Sequence, residues 1–116
     1  MNTEELKKII ASAKINAWIA SDAFFHDKLN GNDSFPCGFA WVELRTYQGK
    51  KIDGRSKIAR ILKEAGINQN WNRVFYLWNP AEFGCQNVDT LEAGATAAAD
   101  VFKKHGFGAE ACSRLD

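Results

Sequence analysis

Apolar residues follow a helical spacing in three segments of this chain and a strand-like pattern in others, and this alternation constrains the fold more than any other feature. The first helical segment begins at Asn2 or Thr3 and ends at Asn30-Gly31, a pair typical of a helix C-terminus. Apolar residues off its main stripe are Trp18, Ile19 and Phe25. They indicate either a wider buried face or an oligomer contact.

Two further helices are predicted where the same spacing recurs. Asp53 is a plausible N-cap for a helix that ends at Gly66. Asp89 opens a capping-box-like start for a helix that runs to His105-Gly106. The sequence therefore predicts three helices.

Aromatic and β-branched residues predict three strands as well. The first strand is Cys37–Arg45, and the second is Arg73–Trp78. A short third strand follows from the alternation of Phe107, Ala109 and Ala111. The order α-β-α-β-α-β indicates an α+β fold, in which a two-layer sheet of about three strands packs with three helices.

The first predicted strand has two different faces. By the two-residue period of a strand, Phe39, Trp41, Glu43 and Arg45 share one face, and Ala40, Val42 and Leu44 share the other. Trp41 is predicted either to pack in the core or to offer a flat ring to a ligand, and Trp78 has the same two interpretations.

Length and composition suit one domain. A chain of 116 residues with 46% hydrophobic content can bury one core, so residues 1–116 are predicted to form a single domain. Three widely spaced cysteines and an acidic N-terminal segment favour the reducing cytoplasm over secretion. No apolar run approaches the ~20 residues of a membrane span, which predicts no membrane contact. The net charge of +1 argues against extended nucleic acid as a partner.

Positive charge is concentrated in the segment Arg45–Lys63, where Asp53 is the only acid among seven basic residues. A helix start favours phosphate or carboxylate, so this basic segment predicts an anion site to which Arg55 and Lys57 contribute. The run Gly49–Ser56 superficially matches a P-loop, but the lysine of that motif is missing. The other interpretation of the segment is a solvated basic loop.

Aromatic and amide side chains near the predicted strand ends complete the candidate site. Tyr47 and Trp78 are predicted to stack on a base. Asn79, Gln86 and Asn87 carry amides that suit the edge of a base or a ribose. Their other interpretation is turn chemistry, because asparagine often bonds its own loop backbone.

The cysteines and histidines show no pattern typical of catalysis or metal binding. These residues are Cys37, Cys85, Cys112, His26 and His105. They lack the spacing of zinc ligands, and no cysteine is paired in sequence with a histidine base. We therefore predict no catalytic residue, no metal and no cofactor.

Several motifs resemble a widespread family of small bacteriophage proteins, and the likeness covers most of the chain. The motifs are Pro36–Val42 (PCGFAWV), Leu77–Pro80 (LWNP), Gln86–Asp89 (QNVD), Glu92–Gly94 (EAG) and Ser113–Asp116 (SRLD). That family in turn looks like the viral anti-CBASS sponge proteins. Sponge proteins of this kind assemble as oligomers and sequester 3′3′-cGAMP-like messengers without cleaving them.

The resemblance implies a homo-oligomeric phage protein, without enzymatic activity, that acts in the host cytoplasm during infection and withholds a cyclic nucleotide immune signal. In that function Arg45, Arg55 and Lys57 would meet phosphate. Arg114 would contact the ligand or bridge subunits; a salt bridge near the chain end is its other interpretation. Two alternatives are a protein-interaction module that docks on an acidic host or virion protein, and a small nucleotide-modifying enzyme.

Overall fold

An antiparallel sheet of four strands, supported by three helices, forms the frame of the chain in a computed structural model that describes residues 1–116. In chain order the elements are α1 (Thr3–Leu29), β1 (Gly38–Arg45), α2 (Lys57–Glu64), β2 (Asn68–Gln69), β3 (Phe75–Trp78), α3 (Val88–Lys104) and β4 (Gly108–Leu115). The order of strands in the sheet is β2-β3-β1-β4. The predicted α+β fold is confirmed. The additional strand β2 is two residues long and pairs with β3.

β1 is a central strand that pairs with β3 on one side and with β4 on the other. Its pairing with β4 extends over its whole length, from Gly38 opposite Leu115 to Arg45 opposite Gly108. The last strand is therefore longer than the predicted Phe107–Ala111 segment, because it follows β1 to the end.

The two faces of the sheet differ in what covers them. Ala40, Val42 and Leu44 of β1 are at most 1% exposed, as their alternation predicts. α3 packs against β1 and β4, and α1 packs on α3. Every β1 residue on the other face is partly exposed, so the helices leave that face open. This open face consists of Phe39, Trp41, Glu43 and Arg45 of β1, Tyr76 and Trp78 of β3, and Glu110, Cys112 and Arg114 of β4.

α1 has the predicted ends but a narrower buried face than one interpretation required. The side chain of Asn2 caps its first turn, and Asn30 ends it in the left-handed conformation, at φ 53°. Trp18 is 47% exposed and Ile19 is 58% exposed, so the prediction of a wider buried face is wrong for these two residues. Phe25 is partly buried. None of the three helices is both long enough and apolar enough to cross a bilayer.

α2 and α3 begin at caps other than the predicted ones. Ser56 caps α2, because the carboxylate of Asp53 instead accepts the N–H of Arg55 in the preceding turn. Asn87, and not Asp89, caps α3. The amide oxygen of Asn87 accepts the backbone N–H of Thr90 at 2.8 Å. In both helices the observed cap is another polar residue near the predicted aspartate, and its side chain accepts the backbone N–H three residues later.

The contact between α1 and α3 depends on Gly94. A Cβ atom at this position would lie 2.7 Å from the Cβ of Ala81 and 3.0 Å from the carbonyl oxygen of Ala17, and it would collide with Ser21 Oγ. Ser21 is fully buried and donates to the carbonyl oxygen of Thr90 at 2.8 Å. The α1–α3 interface is therefore too close for any side chain larger than hydrogen at Gly94.

We expect Gly94→Ala to lower the free energy of unfolding by about 1–3 kcal/mol, because the added methyl overpacks the interface. A loss of stability would itself indicate overpacking, because replacing glycine by alanine in a helix interior otherwise stabilises a protein by roughly 0.5–1 kcal/mol. Urea denaturation followed by circular dichroism measures the change. Gly84→Ala is the matched control, because nothing lies within 4 Å of a Cβ there. A Gly94→Ala variant as stable as the parent would contradict the close contact.

Candidate functional site

Two tryptophans stack at the centre of the open face. Trp41 of β1 lies directly opposite Trp78 of β3, and their ring centroids are 5.7 Å apart with planes inclined by 16°. Phe39 packs beside Trp78, with centroids 5.6 Å apart. Side chains directly opposite on neighbouring strands are close enough to contact. The strand register therefore builds a flat surface from Phe39, Trp41 and Trp78, which we call the aromatic platform.

Hydrogen bonds along β1 hold the Trp41 ring in place. Its Nε1 donates to Glu43 Oε2 at 3.2 Å, and Arg45 Nη2 donates to Glu43 Oε1 at 3.0 Å. The side chains of Glu43 and Arg45 are 17% and 30% exposed, so water screens this ion pair less than it would a fully exposed one. Arg45, which the sequence predicts to meet phosphate, is already engaged by a carboxylate.

Arg114 carries the unpaired positive charge of the open face. Its guanidinium carbon lies 5.4 Å from the centroid of the Phe39 ring, which is a cation–π arrangement. No ion pair of the chain includes Arg114, so the interpretation of a salt bridge near the chain end is wrong. Its N–H donors are therefore available to an anion or to another chain.

A polar turn between β2 and β3 places a third tryptophan beside the platform. Asn70 Oδ1 accepts the backbone N–H of Asn72 at 2.9 Å, and Arg73 adopts a left-handed φ of 63°. β3 therefore begins at Phe75, two residues later than predicted. Trp71 is 90% exposed in this turn. The sequence did contain a signal for Trp71, because a large ring between two asparagines has no neighbouring apolar segment with which to be buried.

The platform and this turn enclose a groove of about 390 Å³ on the open face. Its lining consists of Trp41, Glu43, Asn70, Trp71, Asn72, Tyr76, Trp78 and Arg114. We call it the open-face groove. It brings together flat rings, amide groups and an unpaired guanidinium. Of its lining residues, the sequence predicted a binding role for Trp78 and Arg114, and gave Trp41 such a role as one of two interpretations.

The basic segment forms grooves elsewhere on the surface. A groove of about 370 Å³ is lined by Gly54, Arg55, Ser56, Lys57, Arg60, Lys63 and Glu64. A second, of about 670 Å³, is lined by Lys51, Ile52, Asp53, Gly54, Arg55, Gln69 and Arg73. Arg55 is 93% exposed at its side chain, and its backbone N–H holds the pKa of Asp53 below its usual range. Neither groove contains an aromatic ring. The basic segment meets the open-face groove at its edge, where Lys51 Nζ donates to the carbonyl oxygen of Asn72 at 2.9 Å.

Arg45 and Tyr47 lie near the C-terminal end of β1. They share a groove of about 750 Å³ with Lys103, and Tyr47 is 77% exposed. The predicted binding residues therefore occupy separate surfaces. Arg45 and Tyr47 share one groove, Arg55 and Lys57 share another, and Trp78 and Arg114 line the open-face groove.

The amide residues predicted to bind a base or a ribose, Asn79, Gln86 and Asn87, lie in the loop between β3 and α3. Asn87 is 1% exposed, and its amide nitrogen donates to the carbonyl oxygen of Ser34 at 2.9 Å while its oxygen caps α3. The backbone N–H of Gln86 donates to the carboxylate of Asp33 at 2.9 Å. Asn79 adopts a left-handed φ of 44°, and its Oδ1 is buried without a partner. Turn chemistry therefore accounts for Asn87, which is enclosed and has no side-chain surface to offer a ligand.

Two of the cysteines have raised pKa values. Burial, followed by the charges of Glu43 and Glu110, raises the pKa of Cys112 to about 11, and burial raises the pKa of Cys85. Both are protonated near neutral pH, and a thiol is a far weaker nucleophile than a thiolate. Glu43, Glu110 and Cys112 offer atoms within 4.8 Å of one another. Both oxygens of Glu43 already accept hydrogen bonds from β1 side chains, so this cluster is a poor set of metal ligands.

Comparisons with protein families, with curated proteins and with solved structures give no match to this chain. The rings, charges and hydrogen bonds of the open face are therefore the observations that bear on its function.

We expect Cys112 to react slowly with iodoacetamide at about pH 8, because its raised pKa keeps it as the thiol. Its alkylation rate should rise with pH until about pH 11. Glu110→Gln removes a negative charge that raises this pKa, and should make alkylation several-fold faster at the lower pH. Mass spectrometry of a Cys37→Ser/Cys85→Ser background follows the single thiol.

Asp100→Asn in the same background is the control, because its exposed carboxylate pairs with Lys103 and is not among the groups that raise the pKa of Cys112. That variant should react at the parent rate. Equal rates for Glu110→Gln and the parent would show that the neighbouring carboxylate does not act on the thiol.

Proposed function

We propose that this chain is a non-enzymatic binding protein that holds a nucleotide in the open-face groove. The observation that carries the proposal is the stacked pair of Trp41 and Trp78 on an uncovered sheet face, with the unpaired Arg114 beside it. Large aromatic side chains of a small domain usually dominate its core. Their placement in an open groove beside a guanidinium favours a ligand that has flat rings and negative charge.

Exposed rings of the groove would hold the base. Trp78 is 47% exposed and Trp71 is 90% exposed, so both offer ring surface to a ligand. Stacking of a base on an aromatic side chain contributes about 1–3 kcal/mol. The side-chain amide of Asn72 forms no hydrogen bond within the chain and lines the same groove. It is suited to bond the edge of a stacked base.

Arg114 would meet the phosphate. A guanidinium can donate two parallel N–H bonds to one phosphate, which gives both orientation and affinity. Arg45 is less suited to this role, because Glu43 already neutralises it. The basic segment Arg45–Lys63 would raise the local concentration of an anionic ligand through its field without contacting the stacked base.

The resemblance to phage sponge proteins extends the proposal to the identity of the ligand. In that form the chain is a phage protein that sequesters a 3′3′-cGAMP-like cyclic nucleotide in the host cytoplasm and blocks CBASS-type defence. The combination of rings and guanidinium supports a ligand with bases and phosphates. The raised pKa values of Cys85 and Cys112 support binding without turnover.

We expect Trp78→Ala to weaken the binding of a cyclic dinucleotide by roughly 10- to 100-fold, because it removes a stacking ring. Isothermal titration calorimetry with a panel of cyclic di- and mononucleotides measures the dissociation constants. Trp18→Ala is the matched control, since Trp18 is also 47% exposed but lies on α1, outside the groove. A parent protein that binds no member of the panel, or equal losses in the two variants, would refute the proposal.

A second candidate function is docking on an acidic host or virion protein, and the basic grooves around α2 favour it. They hold Arg55 and Lys57 in exposed positions and contain no ring for a base. Arg55→Ala/Lys57→Ala would strongly weaken such docking, whereas it would lower nucleotide affinity only through the weaker field, by much less than Trp78→Ala does. Mass spectrometry of the purified protein separates the candidates. Intact nucleotide released on denaturation supports sequestration, altered nucleotide supports an enzyme, and a co-purifying protein without a small molecule supports docking.

A further inference from the structure

β4 is an edge strand, and one of its two sides has no partner. The sheet ends with β4, which pairs only with β1. The N–H of Asp116 donates to the carbonyl oxygen of Cys37 on the β1 side. Backbone groups alternate in direction along an antiparallel strand, so the even-numbered residues of β4 bond to β1 and the odd-numbered ones face outward. The outward N–H and C=O groups belong to Ala109, Ala111, Ser113 and Leu115.

This edge lacks most of the features that usually protect an edge strand, and its two charged residues, Glu110 and Arg114, are of opposite sign. Natural edges are blunted by short length, by proline, by lysine or by bulges. The opposite edge, β2, is only two residues long. β4 has eight residues, contains no proline or lysine, and pairs with β1 without a bulge. A long, regular and unpaired edge is a template for another strand.

We propose that β4 is a dimerisation edge, at which β4 of a second copy pairs antiparallel about a two-fold axis through Cys112. In this arrangement Ala111 bonds to Ser113 of the second copy, and Ala109 bonds to Leu115 of the second copy. All of these residues have outward N–H and C=O groups, so the hydrogen-bonding directions match. The two four-stranded sheets then form one continuous sheet.

Charge selects this register over its neighbours. Glu110 and Arg114 are both exposed and both lie on the open face. An axis through Cys112 places Glu110 of each copy opposite Arg114 of the other, and opposite charges at directly facing positions stabilise a strand pair. An axis through Ala111 places Glu110 opposite Cys112 and Arg114 opposite Gly108, so it forms no ion pair. An axis through Glu110 places the Glu110 carboxylates against each other. An axis through Ser113 places Glu110 against the carboxylate of Asp116. Only the axis through Cys112 forms both favourable pairs.

The dimer is compatible with an occupied open-face groove and does not depend on it. Trp78 belongs to β3, and β1 separates it from β4. The guanidinium of Arg114 has five N–H donors, so it can bond Glu110 of a second copy and still donate to an anion. Trp78→Ala should therefore weaken nucleotide binding without changing dimerisation, and the two proposals fail separately.

Sedimentation velocity over a series of protein concentrations tests the edge. The contact is smaller than a standard interface of ~1,600 Å², so we expect a dissociation constant on the order of micromolar. Glu110→Arg and Arg114→Glu each place like charges opposite each other, and should raise that constant on the order of 10-fold. The double variant Glu110→Arg/Arg114→Glu restores opposite charges and should return it toward the parent value. Asp100→Arg, outside β4, is the control and should leave it unchanged.

Chemical cross-linking tests the register without altering β4. The axis places Cys112 opposite itself as a non-hydrogen-bonded pair, for which the Cα atoms lie about 4.5 Å apart, within the range of a disulfide. In a Cys37→Ser/Cys85→Ser variant at about pH 9, where thiolate is more abundant, diamide should give a covalent dimer. Diamide takes up the two electrons and two protons that the two thiols release as the S–S bond forms.

Three results would overturn the proposal. A parent protein that stays monomeric up to the highest concentration has no such edge contact. Equal dimerisation by the parent and both single charge variants places the contact elsewhere, for example on the exposed α1 face that carries Ile15, Trp18 and Ile19. A dimer that diamide does not cross-link through Cys112 has a different register.

Discussion

The close approach of α1 and α3 at Gly94 is the contact on which the rest of the fold depends. It holds α3 against the side of α1, and α3 in turn covers the inner face of β1 and β4. The start of α3 is tied to the loop before β1, because Asp33 accepts the backbone N–H groups of Gln86 and Asn87. The buried face of the sheet is therefore positioned by α3, which is itself held by a close contact with α1 at Gly94.

A sheet covered on one face only must place half of its strand residues where no core exists. On β1 those residues are two rings and an ion pair, and the rings find partners on neighbouring strands: Trp41 stacks on Trp78, and Arg114 lies over Phe39. Apart from Arg45 at the end of β1, the basic segment belongs to the loop and helix that follow β1, so its other charged side chains lie mainly along other grooves. The stacking surface and most of the basic segment are thus built by different parts of the chain.

The features of the fold that depend on residues close together in sequence, such as helix ends and strand faces, were the ones that the sequence predicted best. The ends of α1 and the two faces of β1 follow from periodicity and capping, and both are confirmed. The predicted caps of α2 and α3 were wrong because Ser56 and Asn87, and not the nearby aspartates, accept the free backbone N–H groups of the first helical turn. The members of each groove could not be predicted, because strand order and register decide which residues meet. Trp71 and Arg114 approach the same groove from positions 43 residues apart in sequence, the difference between 114 and 71.

None of the four tryptophans lies in the core, which is filled instead by residues such as Phe75 and Phe102. Indole emission responds to the polarity around the ring, and water already reaches Trp18, Trp71 and Trp78 in the folded chain. Intrinsic fluorescence is therefore a weak reporter of unfolding for this protein. The same property makes it a sensitive optical probe of the open face, where three of the four emitters line a single groove.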